Sequence, residues 1–473
     1  MREEIVLISP EEIEHQKEFA LKIQGMAERP QTFHIVTYGC QMNAHDSEKL
    51  SGMLLSMGLS PAASREEADV VLFNTCCIRD NAQRKALGNI LWLKEVKKKR
   101  PDMLVGVCGC MMQQKGMADK ILKQYPFVDF AFGTGNIHQL PEILLNTLET
   151  GRDIRVGLTD STLVEGLPTQ RESRTKAYIT VMQGCNNYCS YCIVPYVRGR
   201  ERSRDEKDIL KDAEALLKDG VQEIMLLGQN VNSYGTDLGG TSFPSLLRKL
   251  DEMGVPRLRF MTSHPKDLSD ELIEEIARSR ALCPHLHLPV QSGSDRVLRE
   301  MNRRYTAQQY LQKVDKLREA KPDIGLTTDI IVAFPGETRE EFQDTLDLVR
   351  QVRYDSAFTF VFSPRAGTRA DTLPGRVPPQ EASQRIEELI ALQESITKEV
   401  LTSLVGQTHQ VLVEGKARRS QGQLTGKSGR NISVNFEGGE HLIDTIVPVT
   451  ITDIGANTLR GQIQETKIEG EKQ

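Results

Sequence analysis

The stretch Gln183-Gly-Cys-Asn-Asn-Tyr-Cys-Ser-Tyr-Cys192 places Cys185, Cys189 and Cys192 in the spacing CxxxCxxC. The apolar run from Ala177 to Met182 before it reads as a strand that Gly184 ends, so one short loop gathers three thiolates at a strand end. A structural zinc ion completes four protein ligands, commonly from CxxC pairs. Three cysteines without an adjacent histidine instead suit a four-iron cluster with one iron left open. Downstream, strand-like runs recur at 223–227, 257–262, 285–290, 325–334 and 357–362, and helical-period segments at 205–218, 243–252, 268–278, 306–319 and 339–352 intervene. With the run at Ala177 this makes six strands alternating with helices, which predicts parallel βαβ units. Crossovers of one hand curl such a series toward a barrel, here with fewer units than a closed eightfold one. The chemistry then belongs at the carboxyl ends of the strands. Gly228-Gln229-Asn230, Ser263-His264-Pro265, Gln291-Ser292-Gly293-Ser294, Pro335-Gly336-Glu337 and Ser363-Pro364-Arg365 stand there.

The whole chain has 473 residues, nine cysteines and a formal net charge of -5. At about 150 residues per domain this length predicts about three domains. Fractions of 39% hydrophobic and 26% charged residues argue against a disordered chain. No apolar run approaches the roughly 18 residues of a transmembrane helix, so no membrane association is expected. The first thirty residues hold Glu3, Glu4, Glu11, Glu12 and Glu14 without an apolar core, so they are read as a leader of unknown role and not as a secretory signal. A cytoplasmic location follows as the expectation. Thiols there stay reduced, so clustered cysteines point to metal or catalysis instead of disulfides.

Three further cysteines share a context. Cys40 follows Phe33-His-Ile-Val-Thr-Tyr-Gly39, Cys76 follows Val70-Val-Leu-Phe-Asn-Thr75, and Cys110 follows Leu104-Val-Gly-Val-Cys-Gly109. Each run is strand-like and leads through a loop into a helical stretch, at 47–57, 82–98 and 115–124. In an open α/β sheet the carboxyl strand ends share one edge, where ligands bind. Convergence on one metal centre competes there with a plainer reading, that these are buried small hydrophobes. Cys77 and Cys108 neighbour the candidates and leave the choice of ligands open.

The loop at Cys185 resembles the signature of radical S-adenosylmethionine (SAM) enzymes, including the aromatic Tyr191 before the last cysteine. The motifs Thr37-Tyr-Gly-Cys-Gln-Met-Asn43, Asn74-Thr-Cys76 and Gly109-Cys110 resemble the amino-terminal domain of the methylthiotransferases within that superfamily. So do the long motifs at 194–204, 328–338 and 362–368, and the likeness runs from about Gln31 to about Thr466. It implies that Cys185, Cys189 and Cys192 hold a radical-generating 4Fe–4S cluster whose open iron chelates SAM. It further implies that Cys40, Cys76 and Cys110 hold a second 4Fe–4S cluster carrying the sulfur to be inserted, with Cys77, Cys108 and Cys283 outside both sites. Gln229, Asn230, Ser292 and Asp329, at or near barrel strand ends, are the candidate SAM contacts; Glu337 is a further polar group there.

After an amphipathic stretch at 379–404, short alternating runs separated by glycines predict a small antiparallel β-barrel. Val413-Glu-Gly415, the run 422–427 and Val434-Asn-Phe436 resemble a TRAM domain, an RNA-binding module. Between Gly415 and Phe436 lie Lys416, Arg418, Arg419, Lys427 and Arg430 without an acidic residue, a strip suited to phosphate. Arg198, Arg200, Arg202 and Arg204 form another basic run, read as a guide for RNA or as salt-bridge partners.

The expected organisation is a multidomain α/β chain. Residues 31–150 form an open α/β sheet domain, 151–170 a linker, 171–403 a partial (β/α)6 radical SAM barrel, and 404–467 the TRAM β-barrel. The resemblance is greatest to the members that modify isopentenylated adenosine in tRNA. It implies replacement of a C–H bond by C–S–CH3 at C2 of an N6-isopentenyladenosine beside the anticodon, with SAM as radical source and as methyl donor. Its partners would be a tRNA anticodon stem-loop, an external electron donor and a sulfur source. Sister enzymes acting on threonylcarbamoyl-adenosine or on a ribosomal-protein aspartate, and a zinc-stabilised RNA-binding protein, are the alternatives.

Overall fold

The structure is a computed structural model that describes residues 6–78, 80–157, 162–417 and 422–464. Its amino-terminal part is built on six parallel strands in the spatial order Ser60–Pro61, Thr32–Thr37, Val70–Thr75, Leu104–Gly109, Phe130–Phe132 and Asp153–Arg155. The strand Val70–Thr75 is buried along its whole length, which explains its unbroken apolar run up to Phe73. Strand order reverses beside Thr32–Thr37: the chain crosses one way to Ser60–Pro61 and then the other way to Val70–Thr75. Such a reversal opens a crevice at the carboxyl ends of the two strands, and Cys40 and Cys76 follow those two strands.

Two expectations for this region change. The segment expected as a linker supplies the edge strand Asp153–Arg155, too short at three residues to show a period. The leader joins the same body: Val6–Leu7 pairs with Thr162–Leu163, and Gln16 on the helix Pro10–Gly25 is buried and bonds Glu142.

The central part contains two three-stranded parallel sheets, Lys176–Thr180, Glu223–Leu227, Arg257–Phe260 and His285–His287, Gly325–Val332, Ser356–Val361. A bridge from Leu258 to Leu282, just before His285–His287, links the first sheet to the approach of the second, with Leu258 N donating to Ala281 O at 2.8 Å and Cys283 N to Leu258 O at 3.0 Å. The result is a partial barrel of six strands with helices outside it. Along Gly325–Val332 the residues Leu326, Thr328, Ile330 and Val332 are buried, whereas Thr327, Asp329 and Ile331 are half-buried. The buried set contributes Leu326, Ile330 and Val332 to the large core that also holds Phe342, Leu346 and Val349 of the helix Arg339–Val352.

The long helix Pro379–Ser403 packs on the last barrel strand and leads into a closed five-stranded barrel around Val411, Val413, Val434, Phe436 and Leu459. Its ladders are antiparallel except one: Ser433–Glu437 and Thr458–Ile463 pair in parallel. This small barrel is seated on the amino-terminal mouth of the large one. Arg259 Nη2 donates to Ser428 O at 2.7 Å and Arg259 Nη1 to Gly429 O at 2.9 Å, while Arg257 Nη2 reaches Ser428 O at 3.2 Å. Glu223 accepts from the Nε of both arginines at 3.0 and 2.8 Å. Arg430 grips Asp355 with its guanidinium at 2.7 and 2.8 Å.

That docking corrects the reading of the basic strip. Arg430 is spent on Asp355, and Lys427 turns inward, its ammonium bonding Asn431 O at 3.3 Å with a pKa lowered by burial. Lys416 pairs with Glu440 at 2.6 Å on an exposed face, and Arg418 and Arg419 lie outside the described residues. No helix among the described residues is long and apolar enough to cross a membrane.

Candidate active site

The loop that follows Lys176–Thr180 and the two-residue strand Met182–Gln183 carries Cys185, Cys189 and Cys192. Gly184 opens it with φ +77, and a Cβ there would stand 1.8 Å from Arg200 O, so only glycine lets the outgoing chain pass this close. Cys185 N donates to Gly199 O at 3.1 Å and Cys192 N to Cys189 O at 2.9 Å, which curls the loop. Burial and then the Glu201 and Cys189 charges push the Cys185 thiol up to about 12, against backbone and side-chain hydrogen bonds from Asn187 that lower it. Cys192 is raised further by burial and by Cys189 and Cys185. Arg303, 4% exposed, points its Nη1 at Cys189 Sγ, 3.5 Å away, and is held by Pro289 O and Tyr305.

The second set forms at the crevice of the amino-terminal sheet. Gly39 has φ +119, and a Cβ there would lie 2.7 Å from Cys76 Cβ, so glycine lets the backbone just before Cys40 pass against the Cys76 side chain. Asn43 ties the strand ends together: its Nδ2 donates to Tyr38 O at 2.8 Å and to Thr75 O at 3.0 Å. Asn74 returns the bond to Asn43 O at 2.8 Å. Burial pushes the Cys110 thiol up to about 11, Arg198 pulls it down, and Cys40 and Cys76 raise it again. Arg198 Nε donates to Cys110 Sγ at 3.1 Å, and Ile78 N to Cys76 Sγ at 3.4 Å. Cys77 and Cys108 are fully buried beside these residues with thiols raised by burial, while Cys283 sits below, near Arg257 and Arg259.

All nine cysteines are free thiols. Among the described residues no three His, Cys, Asp or Glu side chains close on the position of a single ion. A four-iron cube takes one thiolate per iron and so spaces its ligands more widely. Each set offers three thiols with an N–H donor beside a sulfur, the donor chemistry that such a cube with one open iron would take.

The remaining candidates divide. The side-chain oxygen of Gln229 accepts from Gly184 N, so it braces the cysteine loop. Asn230 is buried, bonds Asp267 at 2.8 Å through Nδ2 and leaves Oδ1 without a partner. Ser292 is buried within a turn, its Oγ accepting from Ser294 N at 3.2 Å and lying 3.4 Å from Thr345 Oγ1. Asp329 stands 3.6 Å from His287 Nε2 on the half-buried row of its strand. Glu337 is clamped through Oε2 by Ala333 N and by Arg385 at 2.8 Å, both carboxylate and guanidinium being almost wholly buried, and its Oε1 has no partner. Among the buried polar atoms without partners are Asn230 Oδ1, Ser263 Oγ and His264 Nε2, which follow two of the barrel strands, and Asn187 Nδ2 and Ser190 Oγ of the cysteine loop. Orphans of this kind are rare in folded proteins and mark a place where a polar molecule completes the hydrogen bonding.

Sequence reasoning missed Arg198 and Arg303 as thiol partners. The basic run is not an RNA guide: Arg198, Arg202 and Arg204 are buried and only Arg200 is exposed. Arg204 binds Glu165 and Asp212 and Arg198 binds Asp46, partners that the local sequence does not reveal. Tyr188 and Tyr196 stand out at the loop instead, 42% and 52% exposed and edge to face at 6.1 Å. Arg365, after the last barrel strand, donates to Ile78 O at 2.9 Å, so the two cysteine-bearing regions meet across this mouth.

Family models match in three places: the Radical SAM superfamily over residues 179–349, the Uncharacterized protein family UPF0004 over 32–133, and the TRAM domain over 402–464. The chain is 50% identical over 439 residues to a tRNA-2-methylthio-N(6)-dimethylallyladenosine synthase of Clostridium perfringens, covering 92% of this chain and 98% of that one. It is 48% identical over 463 residues to the enzyme of the same name from Alkaliphilus oremlandii, covering 97% and 98%. Among solved structures it resembles the radical S-adenosylmethionine methyltransferase TsrM of Kitasatospora setae, with a TM-score of 0.54, 16% identity and coverage of 72% of this chain and 75% of that one. That likeness concerns the fold. With identity this high over almost the full length of both proteins, the chain belongs to the radical SAM family of tRNA-2-methylthio-N(6)-dimethylallyladenosine synthases.

Proposed function

We propose that this enzyme converts N6-isopentenyladenosine beside the anticodon of a tRNA to its 2-methylthio derivative, with Cys185, Cys189 and Cys192 holding one 4Fe–4S cluster and Cys40, Cys76 and Cys110 a second. What supports the reading is that Arg198, in the helix that follows Cys192, bonds Cys110, and Arg365 of the barrel bonds Ile78 beside Cys76, in a chain 50% identical to synthases of this name. Bound there, the clusters and SAM supply a radical able to break an unactivated C–H bond and the sulfur and methyl group that replace the hydrogen.

The chain's own residues prepare that site. The thiols of Cys185, Cys192 and Cys110 are held protonated by burial, so metal loading must release their protons. Arg303 and Arg198 then stand beside the resulting sulfur charge. Asn230, Ser263 and His264 offer unpartnered polar atoms to the SAM body, with Asp329 on the half-buried row of its strand nearby. The carboxy-terminal barrel covers the far mouth and keeps water from that end. Tyr188 and Tyr196 present exposed rings on which an unstacked RNA base is held. A cytoplasmic enzyme of this kind draws its electrons from an external reductant and its sulfur from an external source.

Nucleoside mass spectrometry of tRNA from cells lacking the gene tests the substrate. Methylthio-isopentenyladenosine should vanish while isopentenyladenosine accumulates, and an unchanged level would overturn the reading. Loss of methylthio-threonylcarbamoyl-adenosine instead would assign the sister reaction. Anaerobically reconstituted protein should hold about eight irons, and about four after Cys40→Ala. That variant should still cleave SAM but insert no sulfur.

A further inference from the structure

The helix Val194–Arg198 begins two residues after Cys192, yet it belongs to the other domain's core. Ile193 and Val197, 6% and 1% exposed, pack in the same cluster as Cys77, Cys110, Met111 and Met112. Thr134 Oγ1 donates to Val197 O at 3.2 Å. At the end of this helix Arg198, 5% exposed, uses its guanidinium on three groups of the amino-terminal crevice. Nε donates to Cys110 Sγ at 3.1 Å, and Nη2 to Asp46 Oδ2 at 2.7 Å and to Asn43 Oδ1 at 3.1 Å. The strut therefore runs from a thiol of one triad to a thiol of the other.

We infer that Arg198 is a positioning residue through which the barrel's cysteine loop sets the charge balance, and hence the reduction potential, of the cluster held by Cys40, Cys76 and Cys110. The inference rests on the two-cluster reading above. A hydrogen bond and a positive charge at a ligating sulfur favour the reduced, more negative cluster, and potentials of such clusters follow net charge and hydrogen bonds to sulfur. Asp46 offsets part of that charge, so the pair has a sign at each end: removing the arginine lowers the potential, and neutralising the aspartate raises it. Lysine cannot replace the geometry, because one ammonium cannot serve Cys110 and Asp46 through separate donors of a planar fork.

The test is a redox titration of the reconstituted full-length protein, followed by electron paramagnetic resonance. A control with Cys185, Cys189 and Cys192 all changed to alanine assigns the amino-terminal signal. In Arg198→Gln the one-electron reduction equilibrium of that cluster should shift at least tenfold toward the oxidised form, ~59 mV downward. In Asp46→Asn it should shift upward, and Arg198→Lys should fall between wild type and Arg198→Gln. The radical-generating cluster should keep its potential in all three. Equal potentials in wild type and Arg198→Gln would overturn the inference, as would shifts of the same sign in Arg198→Gln and Asp46→Asn, the mark of a merely structural role. Should Arg198→Gln fail to fold, the signs for Arg198→Lys and Asp46→Asn decide. A wild-type protein with only about four irons, unchanged by Cys110→Ala, would instead overturn the two-cluster reading itself.

Discussion

Single residues in this protein owe their chemistry to partners distant in the sequence. Glu48 lies on the buried side of the helix Gln41–Ser56, its Oε1 accepting from Glu172 N and its Oε2 3.3 Å from His45 Nδ1. Burial pushes its carboxyl up to about 7, with the Glu172 charge adding to the rise and the Glu172 N–H, Arg171 and Lys49 opposing it. His45 is held well below its usual value by burial and then by Lys49 and Arg204. The sign follows from linkage. The folded state binds the Glu48 proton more tightly than the unfolded chain does, so stability from this group falls as pH rises from the ordinary glutamate value to about 7 and is level above that. Glu48→Gln mimics the protonated form. Its stability relative to wild type, from urea unfolding, should therefore rise from about pH 4.5 to about pH 7 and level off above that. A difference that does not change with pH would refute this.

At the scale of elements the sequence is more open. Ser and Thr stand before many barrel helices, and the structure uses them: Thr306 and Thr338 form complete capping boxes with Gln309 and Glu341. Glu341 is also gripped by Arg296, which is the main reason its carboxyl is lowered to about 2. The helix Arg339–Val352 buries Phe342, Leu346 and Val349 at helical spacing against the barrel core, so its start and face were both readable. Thr338→Ala should cost about 1 kcal/mol of stability, measured by urea unfolding. Strand ends were less legible. The fifth barrel strand closes at Val332, and Ala333 takes φ +58, a turn that no apolar pattern announces. The edge strand Asp153–Arg155 escaped notice because it has only three residues and draws its reason from a neighbour.

The whole molecule is held by charges at domain contacts. Glu223, about as buried as the two arginines it joins, bonds both Arg257 and Arg259, which in turn hold the turn at Ser428 and Gly429. Removing one partner of a buried ion pair costs about 3–5 kcal/mol, because the other charge is left uncompensated. Glu223→Ala should therefore destabilise the protein by about that amount. Arg430→Gln should loosen the carboxy-terminal barrel, and limited proteolysis should then cut near the end of the helix Pro379–Ser403 sooner than in wild type. Equal cleavage rates would show that the Arg430–Asp355 pair does not carry the docking.

The sequence by itself determined the order of the three folded parts, the six alternating strands of the partial barrel and the two groups of cysteines. Each of these is written in local periodicity or spacing, which the backbone obeys wherever the segment ends up. Only the tertiary structure decided how those parts face one another. It turned Arg198 and Arg204 into buried partners of Asp46, Glu165 and Asp212, buried Arg202 against the carbonyls of Arg198 and Arg200, and spent Arg430 on Asp355. The reason is physical: an arginine's charge fits solvent, phosphate or a buried carboxylate equally well in sequence. The choice among them is made by what the fold brings within hydrogen-bonding distance.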